Sequence, residues 1–306
     1  MIVTNNGSYP WKSTDGTGRP DGEALDRMTR EAVDAQVRAG CDLVTDGLVR
    51  REDPVSHVAA HLDGVALGEA RSGFPGGGGR YRVPVVTSEI AWKAPILAED
   101  FLFAKGGSPK PVKPVLVGPY TLSGVADDRA YHDRMALAMA FAIALNSELK
   151  GLQAAGATWA QIDEPALLET REDFPTFTRL WEVLGRGVGL ALCLHLEGGD
   201  IRGLYPGVTG LKRLSCLSLD CVRGRASLDL FKDAPFPENL SLGLGVADGR
   251  TERLEAPEAI VSLLRSTGGM PPADRIMLGP ASDLGGLAAE AAFAKLQALA
   301  RARDLA

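Results

Sequence analysis

The chain has little cysteine: Cys41, Cys193, Cys216 and Cys221 are the only four in 306 residues. So sparse a set does not make the disulfide framework of a small secreted domain. Positive charge is also in deficit. Lysine and arginine number 33 against 39 acidic residues, a net charge of −6, which argues against a nucleic-acid partner because nucleic acid needs a basic face. No apolar run approaches the ~18 residues of a membrane span. The opening MIVTNNGSYPW lacks the basic-then-apolar order of a secretory signal, so a cytoplasmic protein is expected. Several site signatures are missing as well. Gly243-x-Gly245 lacks the third glycine and following helix of a dinucleotide loop, and the run Gly76 to Gly79 lacks the Lys-Ser/Thr of a phosphate loop. No Gly-x-Ser-x-Gly arrangement, internal repeat or interdomain linker is present.

What is there fits one α/β domain. Hydrophobic residues make up 45% and charged residues 24%, and barrels of alternating strands and helices run to about 250 residues. Strand-like runs are predicted at residues 2–4, 42–47, 114–119, 158–164, 189–196, 213–220, 240–246 and 275–278. Helical spacing is predicted at 21–39, 54–62, 129–155 and 287–305. Strand alternating with helix implies parallel pairing, and eight units suggest a closed barrel. Residues 65–95 break the alternation and read as a hairpin excursion outside it, with a mobile glycine tip.

The chain is organised around QIDEPALLE, residues 161–169. An apolar strand ends in Asp163 and Glu164, and Pro165 stops the pairing. Successive strand side chains point to opposite faces, so one carboxylate faces a ligand and the other the neighbouring loops. The remaining strand ends are polar too: Ser8, Asp46, His195 with Glu197, Asp220, Asp248, and Ser282 with Asp283. Working residues lie at the carboxyl ends of barrel strands, so this convergence predicts a site there for a small-molecule substrate. Cys193, His195 and Glu197 share one strand face, as do Cys216, Ser218 and Asp220, so a metal cluster is sterically feasible.

QIDEPALLE resembles the signature of the cobalamin-independent methionine synthase family, in its catalytic C-terminal domain, within the wider uroporphyrinogen decarboxylase/methionine synthase-like superfamily. The resemblance runs through NGSYP (6–10), TDGLVRRED (45–53), VGPYTL (117–122), LHLEGGD (194–200), LSLD (217–220), LGLGVAD (242–248) and GPASDLGG (279–286), and so covers essentially the whole chain. It implies a (β/α)8 TIM barrel in a single domain and methyl transfer from a methylated folate to a zinc-bound thiolate. The family's zinc ligands map onto His195, Glu197 in place of a cysteine, Asp220 in place of a glutamate and Ser282 in place of the second cysteine. Such a His/carboxylate set suits zinc, manganese or iron(II). Asp163 stands where the family holds the acceptor's amine and Ser8 where it holds the carboxylate end, while Leu48 replaces a second amine-holding glutamate. Gly124-Val125-Ala126 replaces the tryptophan on which the family stacks its pterin, so the folate donor loses its platform.

The expected function is therefore a methyl or alkyl transferase with altered substrate specificity, assisted by a divalent metal. Asp163 and His195 are its catalytic candidates. Ser8, Leu48, Asp163, Glu164 and Asp248 are its substrate-binding candidates, with Asp283 beside the donor. A metal-dependent lyase or oxygen-using enzyme on the same barrel, and a metal-free binding barrel, are the alternatives.

Overall fold

Strands buried on both faces read as short, nearly continuous apolar runs, and parallel sheets are built from them. The computed structural model describes residues 1–10, 22–77 and 79–306. Its strands are β1 Ile2–Val3, β2 Leu62–Ser72, β3 Arg80–Trp92, β4 Val115–Val117, β5 Asp127–Asp128, β6 Trp159–Asp163, β7 Ala191–Leu196, β8 Leu214–Asp220, β9 Ser241–Ala247 and β10 Ile276–Pro280. The helices are α1 Gly22–Arg38, α2 Pro54–Ala60, α3 Ala98–Gly107, α4 Pro119–Val125, α5 Arg134–Ala154, α6 Phe174–Leu184, α7 Leu230–Asp233, α8 Pro257–Ser266 and α9 Ala289–Leu305. The expected start of the first helix at Asp21, and Gly78 of the glycine run, lie outside the described residues.

Seven strands, in the order β1-β10-β9-β8-β7-β6-β4, make one curled sheet with every pairing parallel. The expected second strand, residues 42–47, survives only as two bridges, Thr4 to Leu43 and Val44 to Val112, which join the sheet's edges and complete the (β/α)8 ring. Its brevity has a local cause. The Val3 amide donates to the Asp42 side chain as well as lying beside this segment. Both backbone groups of Thr45 are taken by the Gln36 side chain of α1, at 2.9 and 3.1 Å, so little is left to extend a ladder.

Along β7, Leu192, Leu194 and Leu196 are fully buried in the main core. Cys193 belongs instead to a small separate cluster with Leu43, Cys216 and Met277. The two-residue period thus assigns even positions of β7 to the sheet–helix layer and odd ones to the barrel interior.

Helix α5 is long and apolar enough, by length and composition, to cross a membrane, a run missed in reading the sequence for spans. In this fold it is a core helix. Its buried Glu148 accepts hydrogen bonds from Trp92 Nε1 and from the Ile96 and Leu97 amides. Asp133 caps its first turn through the Met135 and Ala136 amides. The helix starts at Arg134 rather than at 129 because Asp127–Asp128 pairs instead with β3.

The hairpin excursion is β2 paired antiparallel with β3. It begins at Leu62, sooner than residue 65, because α2 ends at Ala60. Its tip is not an outlying loop. An added Cβ on Gly76 would lie 2.7 Å from Pro165 Cβ and 2.8 Å from the Glu197 carbonyl oxygen, so the tip is seated on the barrel's mouth.

Candidate functional site

The strand register sets Asp163, His195 and Ser218 side by side at the ends of β6, β7 and β8. Beneath them Lys113, fully buried, donates to Gln161 Oε1 at 2.6 Å. Gln161 Nε2 in turn donates to the Asn6 carbonyl at 2.6 Å and to Asp163 Oδ1 at 2.8 Å. This chain fixes Asp163's carboxylate from below. His195 Nδ1 lies 3.0 Å from Ser218 Oγ, and its Nε2 lies 3.9 Å from Glu197 Oε2.

Above this floor is a cavity of about 440 Å³, lined from the barrel by Asn6, Ser8, Leu48, Arg51, Asp163, Glu197 and Asp283, and from the hairpin by Phe74, Arg80 and Tyr81. Ser8 Oγ donates to Asp283 Oδ1 at 2.6 Å, and the Gly285 amide braces both. Leu48 is held at φ 53 by a turn in which its amide donates to Asp46 Oδ1. Asp46 also pairs with Arg51 at 3.0 Å, and Arg51 Nη1 donates to the Val115 carbonyl. Arg51 Nε is buried without a partner among the described residues.

The cavity is acidic, and burial decides its protonation. Burial pushes Asp163 up to about 7, against the lowering pull of the Gln161 hydrogen bond and Lys113. Burial, then the neighbouring Asp283 and Asp163 charges, pushes Glu197 up to about 8. His195 is pushed down to about 4 by burial and then by Lys113, so it is neutral at pH 7. Near neutrality the site therefore holds a half-ionised Asp163, a largely protonated Glu197 and a neutral imidazole.

Other expected site residues are placed elsewhere. Glu164 is fully buried and turned away from the cavity, its two oxygens taking the Tyr120 and Thr121 amides at the start of α4. It is a helix cap, not a substrate contact. Asp248 accepts from Arg250 Nε at 2.8 Å and is not in the cavity lining. Asp220 is fully buried with its carboxylate committed: Oδ1 takes the Val222 and Arg223 amides, and Oδ2 takes the Gly198 amide and both terminal nitrogens of Arg250. Ser282 is buried with a hydroxyl unpartnered among the described residues, and its neighbour Asp283 faces the cavity instead.

The metal expectation can be tested on these contacts. A tetrahedral zinc site needs three or four free donors. Among the described residues no three His, Cys, Asp or Glu side chains stand together in that way. His195 Nε2 and Glu197 are the two that remain, since Asp220 is bound to a guanidinium. The four cysteines are buried and unpaired, with Cys193 and Cys216 lower in the barrel. The residues present do not fit the family's metal, and the iron and manganese alternatives rest on the same ligands.

The sequence reading missed Arg51, Lys113, Asn6 and Arg250. Asn6 and Arg51 lie inside quoted motifs, NGSYP and TDGLVRRED. Lys113 lies four residues ahead of VGPYTL, and Arg250 lies two residues beyond LGLGVAD.

Residues 11–181 match the family described as "Cobalamin-independent synthase, Catalytic domain". The methionine synthase of Saccharolobus solfataricus is 30% identical over 285 residues, covering 91% of this chain and 84% of that protein. That of Sulfurisphaera tokodaii is 29% identical over 284 residues, covering 87% and 80%. Among solved structures, a B12-independent methionine synthase from Shewanella sp. W3-18-1, in complex with selenomethionine, superposes with a TM-score of 0.89 at 22% identity, covering 99% of this chain and 97% of that one. Barrel, motifs and relatives agree: the chain belongs to the cobalamin-independent methionine synthase family, as a methionine-synthase-like catalytic domain.

Proposed function

We propose that this protein is a methyltransferase acting on a small-molecule acceptor held at the barrel mouth. One observation carries the reading. Ser8, Leu48 and Asp163, the three positions matched to acceptor binding by motif, line the same cavity. Asp163, fixed by Gln161, accepts a hydrogen bond from an acceptor's N–H or takes a proton from its nucleophile. As the bond from nucleophile to methyl carbon forms, the donor–methyl bond breaks and its electron pair stays on the donor's leaving atom. Protonated Glu197 donates a hydrogen bond to whichever atom gains charge. The hairpin tip screens the step from water. Four unpaired thiols suit a reducing, cytoplasmic setting.

The test is a panel of thiol acceptors, homocysteine included, incubated with methyl donors, methyl-folate included, with methylated product read by mass spectrometry. Asp163→Asn should stay folded, with a melting temperature near pH 7 no lower than that of wild type, and lose turnover by about a hundredfold or more, the lower end of a positioned acid–base group. A folded variant with undiminished turnover would sink the assignment. A binding barrel without turnover is the second reading, favoured by the commitment of Asp220 to Arg250. Acceptor bound in the cavity with no product from any donor would single it out.

A further inference from the structure

The family's metal and this chain's residues disagree in a specific way: the place beside Asp220 is already taken by a cation. Arg250 reaches Asp220 Oδ2 through Nη1 at 3.0 Å and Nη2 at 3.1 Å, while its Nε and backbone amide hold Asp248 Oδ1 at 2.8 and 3.2 Å. The arrangement is anchored from behind. The Asp248 amide donates to Glu255 Oε1 at 3.0 Å, and the fully buried Lys295 pairs with Glu255 Oε2 at 3.0 Å. The segment is also wedged against the loop that follows β10. A Cβ on Gly249 would lie 2.1 Å from the Asp283 carbonyl oxygen and 2.8 Å from Ser282 Oγ.

We propose that Arg250 is the resident cation of this site, filling the charge-balancing place that a metal holds in the family, so that the barrel mouth is built to exclude a zinc ion. The residues at the matched ligand positions point the same way. The two cysteine positions carry Glu197 and Ser282, and the carboxylate at the third is held by a guanidinium whose two terminal nitrogens converge on one oxygen, Oδ2; such charge-assisted bonds are the strong ones. A divalent ion brought to His195 and Glu197 meets the fixed positive charge of Arg250. To recruit Asp220 it must also displace the donors already on the oxygen it takes, two amides at Oδ1 or the Gly198 amide and both Arg250 nitrogens at Oδ2. Arg250 is a positioning residue in this scheme: it fixes Asp220, which in turn fixes the amides of Gly198, Val222 and Arg223 around the mouth. The inference does not depend on the methyl-transfer reading, and its readout is metal retention rather than turnover.

The full chain is incubated with zinc chloride, desalted and measured by inductively coupled plasma mass spectrometry. Wild type should retain well below one equivalent, whereas a built structural or catalytic zinc site retains about one. The paired variant Glu197→Cys/Ser282→Cys restores two thiolates. With Arg250 in place it should still bind zinc weakly. Adding Arg250→Ser should tighten zinc binding by at least about tenfold, because a soft donor pair then faces a free Asp220. Should the Arg250→Ser variants not fold, wild-type zinc content decides alone. Stoichiometric zinc in wild type overturns the proposal, as does equal zinc affinity of the thiolate variant with and without Arg250.

Discussion

At the scale of single residues, a carboxylate's neighbours matter more than its motif. Asp163 and Glu164 are adjacent and equally motif-like, yet the strand period sends them to opposite sides. Asp163 lines the cavity, whereas Glu164 closes the start of α4 through two backbone amides. A buried donor left without its acceptor costs roughly 1–3 kcal/mol, and two amides lose theirs here, so Glu164→Ala should lower stability by about 3 kcal/mol. Chemical denaturation measures this, and a loss below about 1 kcal/mol would return Glu164 to the candidate site residues. Leu48 poses the converse case. Its φ of 53 is a backbone position costing a leucine roughly 1–2 kcal/mol, and the cost is tolerated where the side chain enters the cavity. Leu48→Glu should strengthen homocysteine binding roughly 5- to 150-fold, as an ammonium gains a second partner worth about 1–3 kcal/mol. Isothermal titration of both proteins decides it. Equal affinities would mean that an acceptor's amine lies elsewhere.

At the scale of elements, the strand ends were legible because a short apolar run ending in polar residues has few other readings. Trp159–Asp163, Ala191–Leu196 and Leu214–Asp220 all fall within a residue or two of expectation. What could not be read was any contact between distant segments. The hairpin's existence follows from the strand-like run at residues 81–90 beside a glycine tip, but its seat on the mouth involves Arg223, whose Nη1 donates to the Gly76 carbonyl at 3.0 Å across 147 positions. The ring of Asp220 and Arg250 is hidden for the same reason, since nothing local in LSLD announces a partner in another strand's loop. The latch itself can be tested. An exposed charged contact is worth up to about 1 kcal/mol, so Arg223→Ala should speed hydrogen exchange about fivefold at the Gly73 and Phe74 amides, which close the tip on the Gly79 carbonyl. Gly76→Val should remove their protection altogether, because φ at Gly76 is 80 and a side chain there strikes Pro165. Unchanged exchange in both variants would mean that the tip is not held by the mouth.

At the scale of the whole molecule, the barrel concentrates unfavourable burial at one end, and that leaves a signature in stability against pH. Asp163, Glu164 and Glu197 rise from ordinary values of 3.8, 4.5 and 4.5 to about 7, 7 and 8, with burial the leading cause in each. Between those limits the folded chain binds more protons than the unfolded one, so stability falls as pH rises. His195 and His57 move the other way, from 6.5 down to about 4 and about 3, again chiefly through burial. Their contribution is present above pH 6.5 and is lost as pH falls below it. The two groups oppose one another from about pH 4.5 to 6.5, and above 6.5 the histidines drop out while the three carboxylates still titrate. Tyr9, Cys41 and Cys221, all pushed up to about 12, enter only as pH approaches the ordinary thiol value of 9.0. The melting temperature should therefore decline steadily from pH 6.5 to 8, and calorimetry across that window measures it. An Asp163→Asn/Glu197→Gln variant removes two of the three carboxylates that drive the decline, so its curve should be markedly flatter. A wild-type melting temperature that holds level or rises over this window would mean that these groups are already ionised in the fold. The mouth of the barrel would then be a solvated acidic rim in place of a dry site with protons to exchange.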